Sequence, residues 1–135
     1  MKNQLSILAM SLGLAALALP AHAHHSFVAQ YDAKKPVTLT GVVTKIEWMN
    51  PHMYFFIDVK DPSGNVTNWA LENGNLSTLL RQGWRKDSLK IGDTVTVAGT
   101  LAKDGSHLAN AASVTLTDGR KVFSGSSNPG ENSGR

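Results

Sequence analysis

Three of the five histidines in this 135-residue chain, His22, His24 and His25, crowd into the stretch "LPAHAHHSF" at residues 19 to 27. Before them come one basic residue, Lys2, the apolar run "LSILAMSLGLAALALP" and the small-residue pattern Ala21-His22-Ala23. That order describes a secretory signal peptide over residues 1–23, too short and too Ala-rich for a membrane span, with cleavage after Ala23. Cleavage makes His24 the first residue and leaves a free α-amine beside its own imidazole. Amine and ring nitrogen together chelate a metal ion, and a second imidazole completes a T-shaped set of three nitrogens, a donor set that suits Cu(II). His25 offers another mode, through the amine, the first amide nitrogen and its own ring.

The second imidazole would come from His52 or His107. His52 is the better candidate, because "MNPHM" flanks it with Met49 and Met53, whose thioethers suit Cu(I), and Pro51 stiffens the approach. Alternation, however, puts Met53 with Phe55 on the apolar face of a strand, where it belongs to the core. A plainer reading stands beside copper and is the default: "HHS" is a polar arm, and His52 is a turn residue whose ring bonds backbone.

A second constellation lies on the outer face of two adjacent strands, where Tyr54 and Phe56 come near Asn68. In small barrels that face commonly holds a ligand, with aromatics stacking on it. Such a face is also routinely covered by an N-terminal segment, here "FVAQYD", and that is the favoured of the two readings. Phe27 and Tyr31 would then be packing residues that carry His24 and His25 toward His52.

No Ser-His-Asp, HExxH, phosphate-loop or paired-carboxylate pattern occurs, so the chain reads as a binding module rather than an enzyme. Glu47 reads as a solvated charge at a strand end, and Glu72 as the partner in a structural hydrogen bond or ion pair. With no cysteine there is no disulfide or zinc-thiolate chemistry. Loss of Lys2 lowers the formal charge from +3 to +2. The cations are scattered apart from Arg81, Arg85 and Lys86, so no basic stripe points to nucleic acid.

The elements that must position these residues are mainly strands. In "HMYFFIDVK" Met53, Phe55, Ile57 and Val59 share one face, and "DPSG" at 61–64 reverses the chain into "NVTNWALE". In "VTLTGVVTKIEW" the apolar phase changes at Gly41, from Val37 and Leu39 to Val42, Ile46 and Trp48, which predicts a bulge or bend in a long first strand. Asn75 caps a short helix with Leu76, Leu79 and Leu80 inward, and Gly83 ends it. Two further strands follow, with Val95, Val97 and Leu101 inward in one and Leu108, Ala112, Val114 and Leu116 in the other, joined by a turn at "KDG". Three strands, a helix and two strands, with a bent first strand, describe a small five-stranded OB-like Greek-key barrel. A plain antiparallel sandwich is the alternative, and the inserted helix argues for the barrel. The expected organisation is a signal peptide at 1–23, an N-terminal arm at 24–36, a barrel at 37–123 and a disordered tail at 124–135.

The combination of "HHSF", "VTLTGVVTKIEWMNPH", "NWALE", "RQGWRKDSLKIGD" and "GTLAKDGSHLANAASVTLTDGRKVF" resembles the small exported bacterial proteins grouped as domain of unknown function 6152. The resemblance covers nearly all of the mature chain and implies export and a small β-barrel, with no known activity. The whole sequence is therefore read as a soluble, periplasmic or secreted binding or accessory module. Its expected partner is a small molecule, metal or protein, not nucleic acid, and no membrane span remains after cleavage. Copper binding through His24, His25, His52 and Met49 is the alternative function.

Overall fold

The computed structural model describes residues 27–123. The expected signal peptide and tail, together with His24 and His25, lie outside the described residues. The chain forms a short helix α1 (Phe27–Gln30), strands β1 (Tyr31–Glu47), β2 (Tyr54–Lys60) and β3 (Val66–Glu72), a helix α2 (Leu76–Arg81), then β4 (Thr94–Ala102), β5 (Leu108–Leu116) and β6 (Lys121–Phe123). The strands run in the order β3-β2-β1-β4-β5-β6, and a parallel pairing of β3 with β5 closes the sheet. This is the OB-like Greek-key barrel that the sequence predicts, with the helix between the third and fourth strands, and it carries a short sixth strand and an N-terminal helix beyond the five strands and one helix expected. Among the described residues no helix is long and apolar enough to cross a membrane.

Closure depends on the length of β1. Residues Pro36 to Val42 pair with β4, and Val42 to Glu47 pair with β2, so one strand serves both halves of the barrel. Gly41 is required where β2 crosses it, because a Cβ there would lie 2.5 Å from the Asp58 carbonyl oxygen. The change of phase comes later than the glycine. Pairing slips between Val43 and Lys45, which makes Thr44 the extra residue of a bulge. Val43 is therefore buried, while Val42, expected inward, is 42% exposed.

A second bulge has the same effect on β5. Ala98 pairs with Ser113 and Gly99 with Ala111, so Ala112 is the extra residue. The inward positions ahead of it are Ala109 and Ala111 rather than Leu108 and Ala112, while Val114 and Leu116 are buried as expected. Gly99 permits the close approach, since a Cβ there would meet the Asn110 carbonyl oxygen at 2.3 Å.

The core joins Val43, Phe55, Ile57, Leu71, Val95 and Val97 to Leu79 of α2 and to Trp84 and Leu89 of the segment that follows. Asn75 caps α2 by accepting from the Thr78 amide at 2.9 Å, and Gly83 follows with φ 92°. Leu80, expected inward, is 46% exposed, because Leu76 and Leu79 already span the face that a helix of this length presents. The short strand β6, which pairs with Ser113 to Thr115 of β5, has too few residues to show an alternating pattern in sequence.

Candidate functional site

Glu72 is the last residue of β3, and strand alternation turns its side chain to the face opposite core residue Leu71. An outward carboxylate would ordinarily be solvated, yet Glu72 is only 2% exposed. A buried carboxylate must be paired or hydrogen-bonded. Its partners come from three distant places in the sequence. The Tyr31 hydroxyl donates to Oε2, and His52 Nδ1 lies 2.6 Å from Oε1. Tyr54, opposite Glu72 in the β2–β3 ladder, hydrogen-bonds the same group. On the other side Glu72 is in register with Asn110 of β5, which is also buried.

The arm closes over this carboxylate. Phe27 of α1 and Tyr31 stack with ring centroids 5.2 Å apart, and with Ala102 and Leu108 they form a small apolar cluster outside the barrel core. Lys103 ties the arm down, its amide donating to the Gln30 carbonyl at 2.9 Å and its Nζ to the Val28 carbonyl at 2.5 Å. Burial is the first cause that pushes the Tyr31 phenol far above its ordinary value, and the hydrogen bond to Glu72 and that residue's charge add to it. Tyr54 is pushed up likewise by burial, by the Glu72 charge and by its hydrogen bond. Both phenols are thus held as neutral donors to a buried acceptor.

The loop carrying His52 is pinned on both sides. The Asn50 side chain accepts from the Leu76 amide at 3.2 Å, the Asn50–Pro51 bond is cis, and Met53 exchanges backbone hydrogen bonds with Asn73 and Gly74. The ring is 31% exposed. A carboxylate only accepts, so Nδ1 of a neutral His52 carries the proton and Nε2 carries the lone pair. Nε2 has no partner among the described residues. The His52 ring thus bonds a buried side chain where the plainer sequence reading expected backbone.

The other expected ligands are less well placed. Met49 is 53% exposed. Met53 is fully buried, and its sulfur accepts from Asn73 Nδ2 at 3.2 Å. His107 is exposed, with its ring 5.0 Å from that of Trp69. Among the described residues no three His, Cys, Asp or Glu side chains converge to hold a metal.

Tyr54, Phe56 and Asn68 do share one outer face of β2 and β3, but their groups are divided between local partners. Tyr54 belongs to the Glu72 cluster. Phe56 is half-buried with the Lys45 ammonium 5.0 Å from its ring centroid, and Lys45 in turn pairs with Glu47 at 2.5 Å, so Glu47 is not a purely solvated charge. Asn68 donates to Asp58 at 2.7 Å and to Thr44 at 3.2 Å. A separate cleft, lined by Gln82, Trp84, Ser88, Arg120 and Lys121 among others, contains none of these residues.

The barrel is similar in fold to a mitochondrial single-stranded DNA binding protein from S. cerevisiae, Rim1. The two are 10% identical with a TM-score of 0.49, over 62% of this chain and 93% of that one. No curated protein matches the sequence. A family model matches residues 11–111, and the chain belongs to that family, the family of unknown function DUF6152.

Proposed function

We propose that this chain is an exported binding module whose ligand site is the junction of its N-terminal arm with the barrel, and whose ligand is a copper ion. One observation carries the reading: a single buried carboxylate, Glu72, is bonded both to Tyr31 from the arm and to His52 from the barrel. Metal-ligating histidines characteristically donate their second ring N–H to a carboxylate, which fixes the tautomer and raises the basicity of the free nitrogen. His52 has that arrangement, with Nε2 left for a ligand. His24 and His25, which precede the arm in the sequence, are the proposed source of the remaining nitrogens, and imidazole nitrogen favours copper among the divalent ions.

The alternative occupant of the barrel, a sugar or peptide on Tyr54, Phe56 and Asn68, is disfavoured by the local partners those residues already have: Glu72 for Tyr54, the Lys45 ammonium for Phe56, and Asp58 and Thr44 for Asn68. Titration of the protein beginning at His24 with Cu(II), against a competing chelator, tests the reading. One-to-one binding that weakens by about ten- to hundredfold or more in His52→Ala is expected, since even an outer-shell partner is worth that much. Equal affinity in both proteins would remove His52 from the site and end the proposal.

A further inference from the structure

The geometry points to a second binding site, for a small hydroxylated carboxylate of the sugar-acid class, in the cleft between the end of α2 and the β5–β6 hairpin. The cleft shares no residue with the His52 and Glu72 cluster, so this inference stands apart from the copper reading.

One wall is the chain that leaves α2. The Gln82 amide closes that helix on the Thr78 and Leu79 carbonyls at 3.1 Å, and Gly83 then turns the chain with φ 92° so that Trp84 enters the core. The next turn is held by the Arg85 amide, which donates to Ser88 Oγ at 2.8 Å. The other wall is the start of β6, where a turn at Gly119, with φ 81°, delivers Arg120, Lys121 and Val122. Between the walls lies a volume of about 370 Å³, within the range of small-molecule sites.

The polar groups of the two walls are not matched to each other. Gln82 Oε1 is buried and accepts no hydrogen bond among the described residues, although an unpaired buried acceptor is destabilising. Ser88 Oγ accepts from Arg85, which leaves its O–H to donate. Arg120 is held by Asp118 through Nε at 2.6 Å, which offsets part of its charge and leaves its Nη groups as donors. Lys121 has no ion-pair partner among the described residues. A ligand that answers this set carries an anionic group for Lys121, Arg120 and Ser88, and an O–H donor for Gln82. A carboxylated sugar holds both on one small frame, and the C–H face of its ring suits the apolar lining that Trp84 and Val122 provide. A sulfate ion brings charge without a donor, and a neutral sugar brings donors without charge.

The test is a nuclear magnetic resonance titration of the protein, labelled with nitrogen-15, with D-glucuronate, D-glucose and sulfate in turn. The expected result is saturable shifts at the amides of Gln82, Ser88 and Lys121 with glucuronate, at a dissociation constant of about 1 mM for a ligand of that size. Glucose and sulfate should bind about tenfold more weakly or less, since each lacks one of the two kinds of contact. Gln82→Leu, which removes the unpaired acceptor, and Lys121→Ala, on the exposed side of the cleft, should each weaken glucuronate about tenfold at an unlowered melting temperature. Sulfate matching glucuronate would mean an adventitious ion only, and would overturn the inference. Glucose matching glucuronate, unchanged affinity in Gln82→Leu, or shifts that spare these amides would overturn it equally.

Discussion

At the scale of single residues the buried Glu72 carboxylate carries more consequence than any histidine. A hydrogen bond to a charged group contributes about 1.5–3 kcal/mol, and removing a partner leaves the other side desolvated. Tyr31→Phe is therefore expected to lower stability by about 2 kcal/mol, read as a shift of the urea midpoint at unchanged slope. Its pH dependence has a definite sign. The folded-state value of Tyr31 is raised above that of the unfolded chain, so the folded protein holds this proton where the unfolded chain releases it. The contribution is complete below the ordinary tyrosine value near 10 and is lost as pH rises beyond it. Stability of the native protein should fall as pH rises through about 10 and above, and Tyr31→Phe should flatten part of that fall; parallel losses in the two proteins would contradict it. The role of Glu72 as a structural partner was legible in the sequence, where it lacks any catalytic neighbour. Its depth was not, because alternation places it outward and the residue that covers it lies 41 positions earlier.

At the scale of elements, two glycines and two bulges decide how the barrel closes. Gly41 and Gly99 each sit where a neighbouring carbonyl leaves no room for a Cβ. Gly99→Ala, which would press on the Asn110 backbone beside Glu72, should cost about 1–3 kcal/mol in urea denaturation, the usual range for overpacking. An unchanged midpoint would mean that β4 and β5 can separate locally at no cost. Asn75→Ala removes the cap of α2 and should cost about 1 kcal/mol. Strands β2 and β3, their turn and the capped helix were legible because alternation and turn chemistry are local. Errors fell at Val42, Leu108 and Ala112, beside the bulges, since one extra residue exchanges the faces of a strand and sequence alternation does not reveal which residue is extra. The glycine at position 41 marked the neighbourhood of the first bulge but answers to the close approach of Asp58 rather than to the change of phase itself.

At the scale of the whole molecule, the barrel core and the arm cluster are separate bodies of apolar contact. A chain beginning at Asp32 should therefore keep the β circular dichroism of the barrel while melting lower, by about 4–8 °C for each kcal/mol that the arm contributes. Loss of the fold would instead make the arm part of the folding unit. Barrel class and the order of β1 to β5, with α2 between β3 and β4, could be read from pattern alone, whereas α1 and β6 were too short to show one and the docking of the arm could be posed only as the favoured of two readings for the aromatic face. The outcome divides that face: Tyr54 lies in the cluster that Tyr31 completes, and Phe56 and Asn68 remain outside it. The most direct measurement is nuclear magnetic resonance of the His52 ring nitrogens in the protein beginning at His24, before and during addition of Cu(II). The expected result is a protonated Nδ1 and a lone pair on Nε2, with the His52 and Tyr31 signals broadened first as copper is added. A proton on Nε2 in the neutral ring, or broadening that spares His52, would contradict the assignment of the arm–barrel junction as the copper site.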